Sequence, residues 1–359
     1  MEKKSTIKLL LLLCISATCF ALASCKKNGT GVIPTPNRSV SPLPPDSALT
    51  WIKLNAPNDT ITVLEEFNNI IYTASNSNTL YTSADEGATW ATFKVGTPDV
   101  SISAISVFNG RIYLGTSNNG IFWSTNGGKT WVNYLAGFQD VNPFGNLVGY
   151  PVTSFAVHNN VLYASTQGNG VYMLNQASDN WSAFNNNLPQ IITSYDVFKI
   201  LNTNNTLVAA GGVNGTFYYY DFTAGQWVGT LIPKRGSFIN EMIIDNGSIY
   251  GATTERKIIR SNDNGITWNY DALDLQQVGN ALSQHPTLYT GSSKDYVLTI
   301  PQGAAGTWIQ QRDRNSAIGT SWANNQQFLG GIHANAILES NQRLFLGTDE
   351  GLYLENANP

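Results

Sequence analysis

One sequence frame returns repeatedly along this chain of 359 residues, and this repetition limits the fold more than any other feature. The stretch Ile61–Trp90 aligns with Ile102–Trp131, and further copies follow up to residue 308. Successive copies end in tryptophans spaced 41, 50, 46, 41 and 40 residues apart, namely Trp90, Trp131, Trp181, Trp227, Trp268 and Trp308. A period of about 40–50 residues is typical of repeat folds, among them the β-propeller.

The copy that ends at Trp131 shows the pattern of one unit. Three short runs with β-strand character, Ser103–Phe108, Arg111–Thr116 and Gly120–Ser124, precede the tryptophan, and a fourth begins at it. Asn109-Gly110 separates the first two runs, and these residue types accept the positive φ of tight hairpin turns. Because no long amphipathic helical pattern follows the N-terminal region, each unit is predicted to be a four-stranded antiparallel blade.

The two ends of the repeat region complete each other. A seventh copy starts at Ile332 and stops at Leu354 after three strand patterns, whereas Trp51–Leu54 has the pattern of a fourth strand with no blade before it. Joining them closes a ring and removes two open sheet edges. We therefore predict an all-β, seven-bladed β-propeller whose N-terminal strand completes the C-terminal blade; the alternative is six blades with unpaired ends.

Residues 1–24 have the features of a signal peptide. Lys3, Lys4 and Lys8 form a positive start, and the apolar run that follows is shorter than the roughly 20 residues of a membrane span. The run ends in Leu22-Ala23-Ser24-Cys25, which resembles the lipobox of bacterial lipoproteins. The resemblance implies that Cys25 is lipidated and becomes the new N-terminus; the alternative is an ordinary cleaved signal with an incidental cysteine.

This interpretation divides the chain into three parts. Residues 25–48 would be the lipidated cysteine and a proline-rich tether, and residues 49–359 would be the propeller. The membrane would be one partner of the protein, through the lipid on Cys25. We expect an exported protein anchored in the bacterial cell envelope, at the outer membrane.

Composition excludes several classes of protein. A net charge of −4 and a pI of about 5.4 argue against a nucleic-acid partner. All three cysteines, Cys14, Cys19 and Cys25, lie in the first 25 residues, so the rest of the chain can hold no disulfide, cysteine-ligated zinc or thiol nucleophile. We expect no cofactor, no metal and a monomeric chain.

A turn motif precedes three of the tryptophans. It has the pattern S-x-D-x-G-x-T-W, with asparagine for aspartate in the second copy, and its residues are Ser83, Asp85, Gly87, Thr89 and Trp90; Ser124, Asn126, Gly128, Thr130 and Trp131; and Ser261, Asp263, Gly265, Thr267 and Trp268. The carboxylate or amide can accept backbone N–H groups, glycine supplies an unusual φ, and tryptophan can pack beneath the turn.

The motif resembles the Asp-box, or bacterial neuraminidase repeat, of sialidases, xyloglucanases, sortilin-like receptors and photosystem II assembly factor-like proteins. The resemblance covers residues 50–359. It implies a propeller in which Asp85, Asn126 and Asp263 stabilise turns away from the usual ligand face. They are then neither catalytic acids nor calcium ligands.

The family's enzymes require features that this chain lacks. Sialidases hold the substrate carboxylate with three arginines, the first in an R-I-P motif, and no R-I-P occurs here. Arg111-Ile112-Tyr113 is similar to R-I-P but lies in the second strand run of its unit. Xyloglucanases place their acids between two propellers, whereas this chain has the repeats for one. Acids near the pore, such as Asp196 or Glu241, could do acid–base chemistry, so a glycosidase or lyase remains an alternative. His158, His285 and His333 are predicted to be structural, not metal ligands.

Two long connections break the period and are rich in aromatic and arginine residues. They span residues 132–151 and 309–331, and with shorter loops they give a predicted binding face of Phe138, Phe144, Tyr150, Arg235, Arg256, Arg312, Arg314 and Trp322. Alternatively, these loops fold back and plug the ring. We expect a binding or assembly scaffold for a protein or glycan; the alternative is a glycan-active enzyme, sialidase-like or other.

Overall fold

A computed structural model describes residues 50–55, 57–136, 138–141, 147–188, 196–203, 205–211, 216–231, 239–253, 257–274, 287–299, 306–314 and 326–356. The predicted signal peptide, lipidation site and tether lie outside these ranges. Within them, no helix combines the length and apolar character needed to cross a membrane.

The described residues form seven four-stranded antiparallel sheets, the blades, and one two-stranded sheet. Blades 1 to 4 comprise β2 (Ile61–Phe67), β3 (Ile70–Ser75), β4 (Thr79–Ser83) and β5 (Ala91–Lys94); β6 (Ile102–Phe108), β7 (Arg111–Thr116), β8 (Ile121–Ser124) and β9 (Val132–Tyr134); β12 (Val152–His158), β13 (Val161–Thr166), β14 (Gly170–Asn175) and β15 (Asn180–Ala183); and β16 (Val197–Asn202), β17 (Leu207–Gly211), β18 (Thr216–Asp221) and β19 (Gln226–Leu231).

Blades 5 to 7 have the same order of strands, and the two-stranded sheet interrupts the connection between blades 2 and 3. These elements are β20 (Ile239–Asp245), β21 (Ser248–Thr253), β22 (Lys257–Ser261) and β23 (Asn269–Asp274); β24 (Thr287–Thr290), β25 (Lys294–Thr299), β26 (Gly306–Asp313) and β27 (Gln326–Gly330); β28 (Ala334–Ser340), β29 (Arg343–Thr348), β30 (Gly351–Asn356) and β1 (Thr50–Lys53); and the hairpin β10 (Gln139–Val141) and β11 (Leu147–Gly149).

The ring closes as the repeat predicts. The N-terminal strand β1 pairs antiparallel with β30, from Thr50 opposite Asn356 to Lys53 opposite Tyr353, and so becomes the outer strand of blade 7. The first strands of successive blades contact one another around the whole ring, including β2 against β28. The predicted seven-bladed β-propeller is therefore confirmed, with the closing strand one residue earlier than expected.

Apolar side chains fill the seams between blades, and the repeated tryptophans pack against the preceding blade. Trp268 of blade 5 stacks on Phe217 of blade 4, with ring centroids 3.7 Å apart and an interplanar angle of 13°. Trp227 donates its indole N–H to the carbonyl of Phe184 in blade 3 at 2.7 Å. Trp268 and Trp227 therefore each join two blades. Large buried aromatic side chains contribute much of the apolar contact area in such seams.

Blade 6 departs from the sequence prediction. Trp308 was expected to begin a fourth strand, but it lies on β26, which is the third strand of its sheet. The first and innermost strand of this blade is β24, at residues 287–290. It therefore lies later in the chain than the repeat frame predicts. The segment 309–331 is consequently no inter-blade connection; most of it belongs to β26, β27 and the chain between them.

Candidate functional site

The alternating strand directions give the ring two different ends. The loops between second and third strands share one end with the connections between blades, and we call it the connection end. The first-to-second hairpin turns and the third-to-fourth turns share the other end. We call it the Asp-box end because it carries the three S-x-D-x-G-x-T-W turns that resemble the Asp-box, and we call these the Asp-box turns. This division follows from the up-and-down order of every blade.

The first Asp-box turn is held by its own side chains. Ser83 Oγ donates to Asp85 Oδ1 at 2.8 Å and accepts the N–H of Gly87 at 2.8 Å. The backbone N–H and hydroxyl of Thr89 both donate to the Asp85 carboxylate, at 2.9 and 2.5 Å. These hydrogen bonds, led by that of the Thr89 hydroxyl, lower the pKa of Asp85 to about 2. Trp90 Nε1 donates to the carbonyl of Gly87 at 3.1 Å.

The turn that ends at Trp268 repeats this geometry, and the turn at Trp131 varies it. Asn126 accepts the N–H of Thr130 at 2.9 Å and donates to its hydroxyl at 2.8 Å, which reverses the direction of the hydroxyl bond. The indole N–H of Trp131 is buried without a hydrogen-bond partner in the described part of the chain. Apart from the indole N–H of Trp131, the polar side chains of all three motifs bond within their own turns.

The motif glycines also fix the distance between blades. Gly87 has a φ of +82°, and a Cβ atom there would lie 2.7 Å from the ring of Phe345 in blade 7. Gly265 has a φ of +85°, and a Cβ atom would lie 3.0 Å from Val208 in blade 4. A larger residue would be strained and would push the neighbouring blade away, so the motif couples turn formation to blade packing.

The prediction that Phe138 belongs to a binding surface is wrong. Its side chain is 0% exposed, and its ring centroid lies 4.6 Å from that of Tyr172 and 6.0 Å from that of Trp181. The loop folds back at this point, and Phe138 completes the seam between blades 2 and 3. Its backbone N–H is also used within the loop, because it donates to the carbonyl of Leu135 at 2.9 Å.

Beyond Phe138 the chain forms the β10–β11 hairpin at the connection end. Gln139 pairs with Gly149 and Val141 with Leu147, and the hairpin base is closed by the N–H of Tyr150 donating to the carbonyl of Phe138 at 2.8 Å. Tyr150 is half-buried against Gly168, where a Cβ atom would lie 2.5 Å from its ring. The hairpin is therefore anchored to two blades at its base.

Arg314 lies at the opposite end from the one predicted. It follows β26 at the Asp-box end, and its Nε donates to Oδ1 of the buried Asp245 at 2.7 Å. Its Nη1 donates to the carbonyl of Gly291 at 2.9 Å, so the guanidinium joins blades 5 and 6. Arg312 lies on β26 itself, and nothing further is described of its side chain. Phe144, Arg235, Arg256 and Trp322 are outside the described residues.

Charged side chains from three innermost strands meet in the central channel. Lys199 of blade 4 and Glu241 of blade 5 form an ion pair of 2.7 Å. Although burial opposes it, the attraction of Glu241 raises the pKa of Lys199. Glu65 of blade 1 interacts electrostatically with both, and burial raises the pKa of Glu65 to about 7. Since blade 1 neighbours neither blade 4 nor blade 5, this interaction crosses the channel.

The sequence pointed to Glu241 as a pore acid but missed its partners. A β-bulge shifts the register near the start of six innermost strands, and Lys199 and Glu241 follow it directly in blades 4 and 5. The equivalent residue in blade 2 is the uncharged Ala104. A charged residue at this position of the repeat therefore stands out and could have indicated the channel site. Glu241 is paired directly with the ammonium group of Lys199 and interacts across the channel with the carboxyl group of Glu65.

The remaining candidates have structural partners. His158 is buried, with Nδ1 2.8 Å from Asn202 Oδ1 and Nε2 2.9 Å from Asn159 Nδ2. His333 lies 3.4 Å from a carboxylate oxygen of Asp349. Arg111 forms an ion pair of 2.6 Å with Asp179 of the next blade. In the described ranges, no three histidine, cysteine, aspartate or glutamate side chains come together as metal ligands. His285 is outside those ranges.

No protein-family model and no curated protein matches the chain. Solved structures match the fold. One is the extracellular domain of the putative one-component system BT4673 from B. thetaiotaomicron, with a TM-score of 0.61 and 16% identity over 87% of this chain and 40% of that one. This chain therefore spans less than half of the BT4673 chain.

Two further structures are matched over nearly their whole length. YCF48 bound to D1 peptide gives a TM-score of 0.59 at 14% identity, over 88% of this chain and 99% of that one. The β-propeller domain of Cps50 (Swd1) from Myceliophteria thermophila gives 0.59 at 11% identity, over 86% and 100%. At these identities the likeness concerns the fold alone.

Proposed function

We propose that this protein is an exported, lipid-anchored scaffold whose connection end binds a partner protein through an extended segment. The observation that carries the proposal is the β10–β11 hairpin. Both strands pair only with each other among the described residues, so their outer edges form no ladder with another strand there. Unpaired N–H and C=O groups at a strand edge bind extended peptides by adding a strand.

The anchoring of the hairpin supports this function. Buried Phe138 and the bond from Tyr150 N–H hold its base, and Gly149 passes so close to Asn118 that a Cβ atom would lie 2.3 Å from the Asn118 carbonyl oxygen. An edge held in place loses little conformational entropy when a peptide binds. We favour binding over glycan hydrolysis because Glu241, the pore acid that the sequence indicated, is held in an ion pair with Lys199.

The solved structures are compatible with this proposal. YCF48 was solved with a bound peptide, and the BT4673 domain is extracellular, as their descriptions state. Those properties belong to those proteins. The leader sequence of this chain independently supports a location outside the cytoplasm.

The hairpin can be removed at its natural base. The whole chain, purified in detergent, would be panned against a phage library of random 12-residue peptides. Replacing residues 139–149 by Asn-Gly should weaken binding of the enriched peptides at least about tenfold. Lys129→Ala, an exposed change at the Asp-box end, is the matched control and should leave binding unchanged. Failure to enrich any peptide, or equal binding by the hairpin variant, would refute the proposed site.

The lipid anchor has a separate test. Cys25→Ser removes the thiol that the lipobox resemblance assigns to acylation, and the buried acyl chains would each contribute about 0.8 kcal/mol per CH₂ to membrane binding. The wild-type chain should incorporate an alkyne-tagged fatty acid and sediment with membranes. The variant should incorporate none and move to the soluble fraction. Cys19→Ser is the control and should behave as wild type; incorporation by Cys25→Ser would contradict the anchor.

A further inference from the structure

A groove opens between blades 7 and 1, where the ring closes. Its volume is about 340 Å³. Leu54 and Leu354 form an apolar wall from blade 7, and the first Asp-box turn, with Glu86 and Trp90, forms the opposite side. Arg343 and Asn55 also line it. The volume is at the lower limit for small-molecule sites, which indicates a small ligand.

The seam beside the groove is packed differently from the seam at Trp268. Trp268 is 5% exposed and lies flat on Phe217. Phe217 pairs with Ala210, and the residue at the matching register in blade 7 is Leu352, which pairs with Gly347.

At this seam Trp90 is half-buried and stacks on no other ring of the described residues. Its indole N–H is already bonded to the carbonyl of Gly87. Trp90 therefore offers a ring face and no hydrogen-bond donor.

The polar groups at the groove are balanced in charge. Arg343 supplies one positive charge and has no ion-pair partner in the described part of the chain. Glu86 supplies one negative charge, and its Oε1 accepts a hydrogen bond from Asn341 Nδ2 at 2.7 Å, which leaves its other oxygen available. Asn55 adds an amide. A lining with no net charge, with donors and acceptors around an aromatic face, suits a neutral molecule with hydroxyl groups and one apolar face.

We propose that this groove binds one neutral pyranose ring. The C–H face of the sugar lies on Trp90, its hydroxyl groups bond to Arg343, Glu86 and Asn55, and Leu54 and Leu354 enclose its edge. The site lies between the first Asp-box turn and the end of the closing strand β1. It is therefore separate from the peptide site proposed at the connection end.

Saturation-transfer difference NMR tests the site on the whole chain, kept in a detergent without sugar. The probes are the methyl glycosides of glucose, galactose and mannose, and N-acetylglucosamine. At least one should bind with a millimolar Kd. Trp90→Ala should weaken binding at least about tenfold. Leu54→Trp should do the same by filling the groove with a larger apolar side chain.

Trp131→Ala is the matched control, because Trp131 occupies the same turn position at the next seam; it should bind as wild type. Thermal unfolding checks that each variant is folded. The proposal is overturned if none of the four probes binds, if both groove variants retain wild-type affinity, or if glucuronic acid binds more tightly than the neutral sugars.

Discussion

Proline at Ile52 should lower the free energy of unfolding by roughly 2–4 kcal/mol, whereas proline at the next residue, Lys53, should cost less than about 1 kcal/mol. Both residues lie on β1, the single strand that closes the ring. The side chain of Ile52 is 50% exposed, so the expected loss does not come from a buried core residue.

The difference comes from the alternation of hydrogen bonds in an antiparallel pair. The N–H of Leu54 donates to the carbonyl of Leu352 at 2.9 Å. Two residues earlier, the N–H of Ile52 faces Leu354 in the same way, and that of Lys53 points away from the sheet. Proline has no N–H, so only Ile52→Pro removes a ladder bond and leaves a carbonyl unpaired.

Loss of β1 affects two seams at once. Trp51 packs against the cluster between blades 6 and 7, and Leu54 against the cluster between blades 7 and 1. Urea unfolding followed by tryptophan fluorescence measures both variants. Equal midpoints for Ile52→Pro and wild type would mean that the ring is stable without its closing strand, and a large loss in Lys53→Pro would assign the effect to proline itself.

The repeat made most of the architecture predictable. Strands β6 and β7 were predicted to within one residue, because Asn109 and Gly110 mark the turn and Asn109 indeed has a positive φ of 49°. Blade 6 could not be placed, because it has lost the Asp-box residues and keeps only a tryptophan. One aromatic residue fits the third or the fourth strand equally well, and Trp308 lies on the third.

The sites were less predictable for physical reasons. A loop aromatic such as Phe138 has the same sequence signature whether it covers a seam or contacts a ligand. The ion pair of Lys199 with Glu241 joins residues 42 positions apart, and its link to Glu65 depends on the width of the channel. The groove beside Trp90 is lined by residues from both ends of the repeat region, among them Leu354, so only the assembled ring shows it.

Glu65→Gln should stabilise the protein at pH 8 and leave its stability unchanged at pH 4. Burial raises the pKa of Glu65 from its ordinary value of 4.5 to about 7; Lys199 opposes this shift and Glu241 adds to it. Below pH 4.5 the carboxyl is protonated in both the folded and the unfolded chain, and it contributes no difference between them. Between about pH 4.5 and 7 the folded chain binds more protons, so stability falls as the pH rises.

Above pH 7 the whole cost of the buried carboxylate is present, on the order of 3 kcal/mol, and glutamine avoids it. Denaturant unfolding at pH 4, 6 and 8 gives the difference between variant and wild type at each pH. Glu66→Gln removes a negative charge from the same strand on its other face and should show no such trend. A constant difference at all three pH values would mean that Glu65 is already ionised in the folded channel, held by Lys199 as firmly as Glu241 is.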